Sequence, residues 1–309
     1  MPRVHLHGWI LSSAVMLSAC GGGGGGAETP PAVVPLSAAN YQAVTTEVVD
    51  SVAGVGSLSD AVDLVTAANA KPAGLSPALT SGEPATLARY ALSLTPRLQV
   101  SQRAQAQAVE NYVEPCYSGS LTISANDADN NGVESSGDSV TITANNCVPQ
   151  ASAPAINGSI ALILGNVSYD RDGYLTSGTA TISFNGFSSA GISLNGSARL
   201  SINSSAMALD FNRLVASDGA RSRVYDYTLT VYSNGTASVD GPIEVGGSTY
   251  VLSTPVRVTF AGAYPSAGMV RFVDGHGSRV DVSLSSQSYV ATLYLKGDEV
   301  ADGNFSENW

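Results

Sequence analysis

With 25 acidic against 14 basic side chains in 309 residues, the chain carries a formal net charge of −11. A balance of that sign and size excludes partners drawn in by their own negative charge, nucleic acid and anionic lipid headgroups among them. The length suffices for a substantial core, while three histidines and three cysteines in the whole chain leave no spacing for a tetrahedral zinc shell.

The first residues hold Arg3, an apolar run from Trp9 to Leu17, and then Leu17-Ser18-Ala19-Cys20. That run is too short to cross a bilayer as a helix, so residues 1–19 read as a targeting segment. Leu-Ser-Ala-Cys resembles the bacterial lipobox. The resemblance implies cleavage before Cys20, acylation of its thiol and a lipid anchor in the membrane; Gly21 as the next residue implies, by the sorting rule of such lipoproteins, delivery to the outer membrane. Loss of Arg3 leaves 13 basic residues against 25 acidic in the mature chain. Gly21 to Gly26, followed by Pro30, Pro31 and Pro35, reads as a tether, so that residues 20–36 form the lipidated cysteine and its linker.

Residues 37–114 read as a helical region. Ser37 has the character of an N-cap, with Tyr41, Val44, Val48, Val49 and Val52 recurring at helical spacing, and Gly54 and Gly56 stop that helix. Ser57 with Asp60 caps a second helix from Leu58 to Ala68, ended by Pro72. Leu87, Tyr90, Ala91 and Leu94 suggest a short third one, and Gln102 to Val113 a fourth that leads into Cys116. Their apolar faces are modest, so they are expected to pack on a larger domain.

Apolar and polar residues alternate from Tyr117 to Ser124 and from Ser139 to Asn146, as expected of two half-buried strands. Cys116 opposite Cys147 sets a register that pairs Leu121 with Ile142, Ile123 with Val140 and Gly119 with Ala144. Two cysteines remaining after lipidation of the third, in an oxidising compartment, point to a Cys116–Cys147 disulfide. Between the strands, Asp127, Asp129, Asn131, Gly132, Val133 and Asp138 occupy positions 1, 3, 5, 6, 7 and 12 of an EF-hand-type loop. There alternate oxygens converge on a hard cation, a glycine permits the turn and Val133 offers its carbonyl, so the expected cofactor is Ca²⁺. The loop departs from that family in its flanking strands, in Glu134 where an aliphatic residue is usual, and in a closing Asp where Glu is usual. The other reading is a solvated acidic loop held by Asx-turns.

From Asn157 onward the pattern is strand after strand. In Ile192 to Asn203, Ile192, Leu194, Gly196, Ala198, Leu200 and Ile202 alternate with Ser193, Asn195, Ser197, Arg199, Ser201 and Asn203. Further strands are expected at Ile160–Tyr169, Gly178–Phe187, Met207–Val215, Val224–Ser233, Thr236–Val245, Tyr250–Phe260, Met269–Val273, Arg279–Leu284 and Tyr289–Lys296. The fold class is therefore mainly β, an antiparallel meander of about a dozen strands rolled into a barrel, half-barrel or sandwich. The β domain spans residues 115–297, and residues 298–309 read as a frayed acidic tail. Aromatics at 7%, without girdles at the strand ends, argue against a transmembrane barrel.

Catalytic constellations are scarce. His5 and His7 leave with the targeting segment, and His276 sits in Asp274-Gly275-His276-Gly277, a hairpin-tip sequence. Gly186-Phe187-Ser188-Ser189-Ala190 is the nearest approach to a nucleophile elbow, in strand context. Asp210, Asp226, Asp240 and Asp281 lie in or beside strands, but nothing selects a pair of them for glycoside hydrolysis.

The lipobox and glycine run, the segment beginning Ala39-Asn40-Tyr41, Cys116, Asp127-x-Asp129-x-Asn131-Gly132, Gly137-Asp138-Ser139, Cys147 and the β meander together resemble proteobacterial lipoproteins of uncharacterised activity. By architecture alone there is also an analogy with lipoprotein-carrier half-barrels, which wrap a helix and hold acyl chains. The expected function is that of a non-enzymatic, outer-membrane-anchored, calcium-stabilised lipoprotein with a structural or binding role, its partner an envelope protein. The alternative is a carrier of a hydrophobic ligand on the concave side of the sheet, and a glycosidase-like enzyme comes third.

Overall fold

A computed structural model describes residues 34–52, 109–131, 135–169, 171, 175–219, 222–261 and 264–309. The targeting segment, most of the tether and the helices expected within residues 53–108 lie outside them. One helix, α1 (Tyr41–Val52), precedes fifteen strands: β1 (Val109–Pro115), β2 (Ser118–Asn126), β3 (Ser139–Val148), β4 (Ile156–Tyr169), β5 (Leu175–Ser189), β6 (Ile192–Ile202), β7 (Ala206–Ser217), β8 (Ser222–Tyr225), β9 (Thr228–Tyr232), β10 (Thr236–Val245), β11 (Ser248–Ala261), β12 (Tyr264–Val273), β13 (Arg279–Ser285), β14 (Ser288–Tyr294) and β15 (Gly303–Asn308). All belong to one antiparallel sheet in which neighbours in space are neighbours in sequence, with β1 and β15 at its ends. β8 and β9 act as two halves of one strand: β8 pairs with the C-terminal parts of β7 and β10, and β9 with their N-terminal parts.

The sheet thus has two rims. The lower one carries the β3–β4, β5–β6, β10–β11 and β12–β13 connections, and the upper one the β2–β3, β4–β5, β6–β7, β9–β10 and β11–β12 connections.

Period-two alternation becomes burial, as the sequence predicts. Leu121 and Ile123 on β2, Ile160 and Leu162 on β4, Leu200 on β6, Leu209 on β7 and Val280 and Val282 on β13 are buried on one face. The opposite face presents Ser, Thr and Asn, such as Thr143, Thr181 and Ser201. α1 lies against the same apolar face, burying Tyr41, Val44, Val48 and Val49 at the β10, β13 and β14 end of the sheet. Before it, Ser37 is not a free-standing cap: the Asn40 side chain accepts from the Ser37 backbone N–H and hydroxyl and donates to the Pro35 carbonyl, closing a turn from which the helix starts at Tyr41.

Three expectations are corrected. Val109–Pro115 is an edge strand, so the last part of the helix expected from Gln102 to Val113 is extended chain paired to β2. Gly303–Asn308, read as a frayed tail, is strand β15 on β14. It is locked by Trp309, whose ring N–H donates to the Ser285 carbonyl and whose ring stacks on Tyr264. Finally, the first hairpin pairs Leu121 with Ala144, Ile123 with Ile142 and Ala125 with Val140, two residues off the expected register. The bonded cysteines are not opposite one another, since Ser118 faces Val148, and the bulge between Ser118 and Ser120 moves the register by one residue; beyond it the slip from the expected pairing is even, so every side chain keeps its face.

That bulge belongs to a crease that crosses the sheet. Backbone N–H groups displaced from the ladder are taken up by side chains of the next strand: Asn146 N–H donates to Asn157 Oδ1 at 2.8 Å, Gly186 N–H to Asn195 Oδ1 at 2.8 Å, and Arg213 N–H to Asp226 Oδ1 at 3.2 Å. Asn146, Gly186 and Arg213 all have positive φ. At the residues following two of the acceptors, Gly158 and Gly196, φ is +85° and +113°, and a β-carbon would overlap the backbone of Gly186 and of Arg213. Only glycine permits both the angle and the approach. Asp226 falls in the gap between β8 and β9, so the crease is also what divides that strand.

Candidate metal centre

The β2–β3 loop at the upper rim carries the acidic side chains singled out from the sequence. Carboxylate oxygens of Asp127, Asp129 and Asp138 lie within 4.8 Å of one another. Asp138 is fully buried, Asp127 half-buried and Asp129 exposed. The position of Asp138 is set by the neighbouring strand, since Leu164 N–H donates to the Asp138 carbonyl at 2.8 Å and Gly137 N–H to the Leu164 carbonyl at 2.9 Å.

Loop donors converge on the carboxylates. Asp138 accepts from Ala128 N–H at 2.9 Å, Ser135 N–H at 2.7 Å and the Ser135 hydroxyl at 3.3 Å. Asp129 accepts from Asn131 Nδ2 at 2.8 Å and from the Ser135 hydroxyl at 3.1 Å, and Asn131 N–H donates toward both Asp127 and Asp129. These are Asx-turn contacts of the kind that close an acidic loop by themselves. The donor set is nonetheless hard and anionic, the type that suits Ca²⁺. Asp127, Asp129 and Asp138 would hold such an ion, with Asn131 beside them; Val133, expected to offer its carbonyl, lies outside the described residues.

At the lower rim the Cys116–Cys147 disulfide is formed, with Cα atoms 5.5 Å apart, and Tyr117 N–H donates to the Val148 carbonyl beside it. The staple and the acidic loop therefore close opposite ends of one hairpin.

Of the remaining candidates, Asp210 and Asp240 flank Thr228 in one cross-strand row, with Asp226 two residues before it, while His276 and Asp281 lie in the β12–β13 connection and on β13. His276 is exposed at the β12–β13 tip and its backbone N–H donates to Asp274 Oδ1. Asp210 accepts from the Thr228 hydroxyl, Asp226 serves the crease, and Asp281 receives two bonds from Arg271, at 2.6 and 2.9 Å. Ser189 is buried on β5.

Sequence reasoning missed the polar contacts that fix α1. Glu47 pairs with Arg223 on β8. Tyr289 on β14 donates to Glu307 on β15, beside Thr46. Burial first, then the contact with Glu307, push the Tyr289 phenol above its ordinary range. Asp274 was also missed: it is buried, accepts from His276 and Ser278 N–H groups with one oxygen, and takes Leu36 N–H at 2.9 Å with the other. A period-two pattern carries no mark of the contacts of Leu36, Thr46 and Glu47, which join residues more than 170 positions apart. Glu299 and Arg279 form a further pair on the outer face, and Arg279 holds the Glu299 carboxyl below its ordinary range.

No family model, no curated protein and no solved structure matches the chain.

Proposed function

We propose that this is a non-enzymatic β-sheet lipoprotein, anchored through an acylated Cys20 at the outer membrane, with a structural or binding role in the envelope and a calcium-stabilised β2–β3 loop. The observation that carries the reading is the filled apolar face. From Leu121 on β2 to Leu293 on β14 buried side chains form one continuous cluster with α1, and Val167, Ile202, Val231, Val245 and Phe260 are partly buried against it. A hydrophobe carrier needs accessible apolar surface in a hollow, and the burial of these side chains favours the structural role over the carrier. Asp210 and Asp240 flank Thr228 in one row of the sheet, with Asp226 two residues before it, but the row lies on the exposed outer face, Asp226 is engaged at the crease and Asp281 by Arg271, an arrangement that favours a structural role over hydrolysis in an enclosed site.

Three measurements test the parts separately. Mass spectrometry of the mature N-terminus is expected to find acylated Cys20, and an unmodified residue there removes the anchor. A fluorescent fatty acid is expected not to bind the folded protein; saturable binding at one site would replace the structural reading with the carrier. Millimolar Ca²⁺ is expected to raise the melting temperature, Mg²⁺ to do so much less, since a site binding at roughly 10⁻⁴ to 10⁻³ M is typical of extracellular calcium modules.

A further inference from the structure

We infer that the lower rim of the sheet, at the β10–β11 and β12–β13 tips, faces the lipid headgroup layer, and that the acidic loop at the upper rim is presented away from it. This rests on the acylation of Cys20 proposed above. What the structure adds is the point at which the chain leaves the sheet toward that cysteine. Val34 N–H donates to the Ser248 hydroxyl at 2.8 Å, the Val34 carbonyl accepts from the Tyr250 hydroxyl, and Leu36 N–H donates to Asp274. Ser248 opens β11 and Asp274 follows β12, so both mark the lower rim.

Length then decides between orientations. Cys20 and Val34 are 14 residues apart, a linker that reaches about 50 Å when fully drawn out and has a coil dimension of about 20 Å. β11 has 14 residues and β13 and β14 have seven each, so the two rims stand about 23 to 45 Å apart. To bring the upper rim to the headgroups, the linker would have to span that height, stretched beyond its coil dimension. The lower rim is reached at ordinary coil dimensions. Charge does not decide the matter, because Lys296 and His276 at the lower rim stand near Asp298 and Asp302. The acyl chains and the pinned exit at Val34 set the orientation.

The test uses the full-length acylated protein in vesicles of phosphatidylethanolamine and phosphatidylglycerol that carry a rhodamine headgroup. His276→Cys at the lower rim and Ser233→Cys at the upper rim are labelled with fluorescein; Ala151→Cys and Ser204→Cys form a second such pair on the other half of the sheet, so that misfolding of one variant leaves a readable pair. Energy transfer is expected to be several-fold stronger from positions 276 and 151 than from 233 and 204. Equal or reversed transfer in protein that floats with the vesicles overturns the orientation and leaves the anchor standing. Protein that does not float overturns both.

Discussion

Asp138 and Asp127 meet at one point of the β2–β3 loop but stand in different surroundings, and substitution separates their roles. Asp138 is buried and is the acceptor for Ala128 and Ser135, so Asp138→Ala leaves two part-buried N–H groups without their acceptor and a void beneath the loop. A loss of about 2 to 4 kcal/mol is expected, with or without calcium. Asp127 is half-buried and accepts from Asn131 N–H at 3.3 Å. Because Asp127 is less buried, Asp127→Ala is expected to cost less than Asp138→Ala in chelator and to abolish the response to calcium. Urea midpoints of both variants, each with chelator and with millimolar Ca²⁺, check this; an Asp127→Ala protein that still responds to calcium would remove the ion from the account. Spacing in the sequence made the convergence of Asp127, Asp129 and Asp138 legible. It did not disclose that Asp138 is the one under the protein surface, because that follows from pairing with β4, a partner fixed only by the fold.

Among the elements, the crease gives the sharpest expectation. Gly158→Ala and Gly196→Ala must both adopt a positive φ and push back a neighbouring backbone, and each is expected to cost at least about 3 kcal/mol. Asn195→Ala, which removes the acceptor for Gly186 N–H, is expected to cost about 1 kcal/mol, and Asn195→Asp much less, since it keeps that acceptor. Chemical denaturation of the four variants measures the series, and a tolerant Gly196→Ala would mean that the sheet bends elsewhere. The docking of α1 adds a pH dependence. The Tyr289 phenol is raised in the folded state, so its contribution is complete below the unfolded value of about 10 and declines as pH rises from there toward the folded value, by at most about 1.4 kcal/mol per pH unit. Tyr289→Phe should lessen the alkaline slope of stability, and an unchanged slope would show that other groups set it.

Strands were the legible elements, because alternation in β6 or β13 is dictated by one buried face. The register of the first hairpin was not, since the expectation places Cys116 opposite Cys147, whereas the bulge opposite Gly119 leaves Asn145 and Asn146 both exposed and the cysteines out of step. β1 misled for a different reason: its glutamates at 110 and 114, after an Ala/Gln-rich stretch, have helical spacing, and the unpaired edge of β2 overrides that local preference.

At the scale of the molecule, the Cys116–Cys147 link closes a loop of 31 residues in the first full hairpin. In the chain-entropy view its reduction should cost roughly 3 to 4 kcal/mol. Melting curves with and without reductant measure this, and coincident curves would mean that the strands hold the hairpin unaided. The rest of the sheet depends on short-range pairing, each strand on the one before it; the N-terminal segment differs. The segment from Val34 through α1 finds its partners at Arg223, Ser248, Asp274 and Tyr289, 176 to 243 positions away. A chain delivered N-terminus first can zip its hairpins as they emerge, because each closes a short loop. α1 must wait until β14 has followed it. The earliest element to appear is therefore the last to settle, and a fluorophore on α1 should report a slower refolding phase than one on the β2–β3 hairpin. During that interval the apolar surface at β10, β13 and β14 stands uncovered, which makes the wait for α1 the stage of assembly at which a chaperone has something to hold.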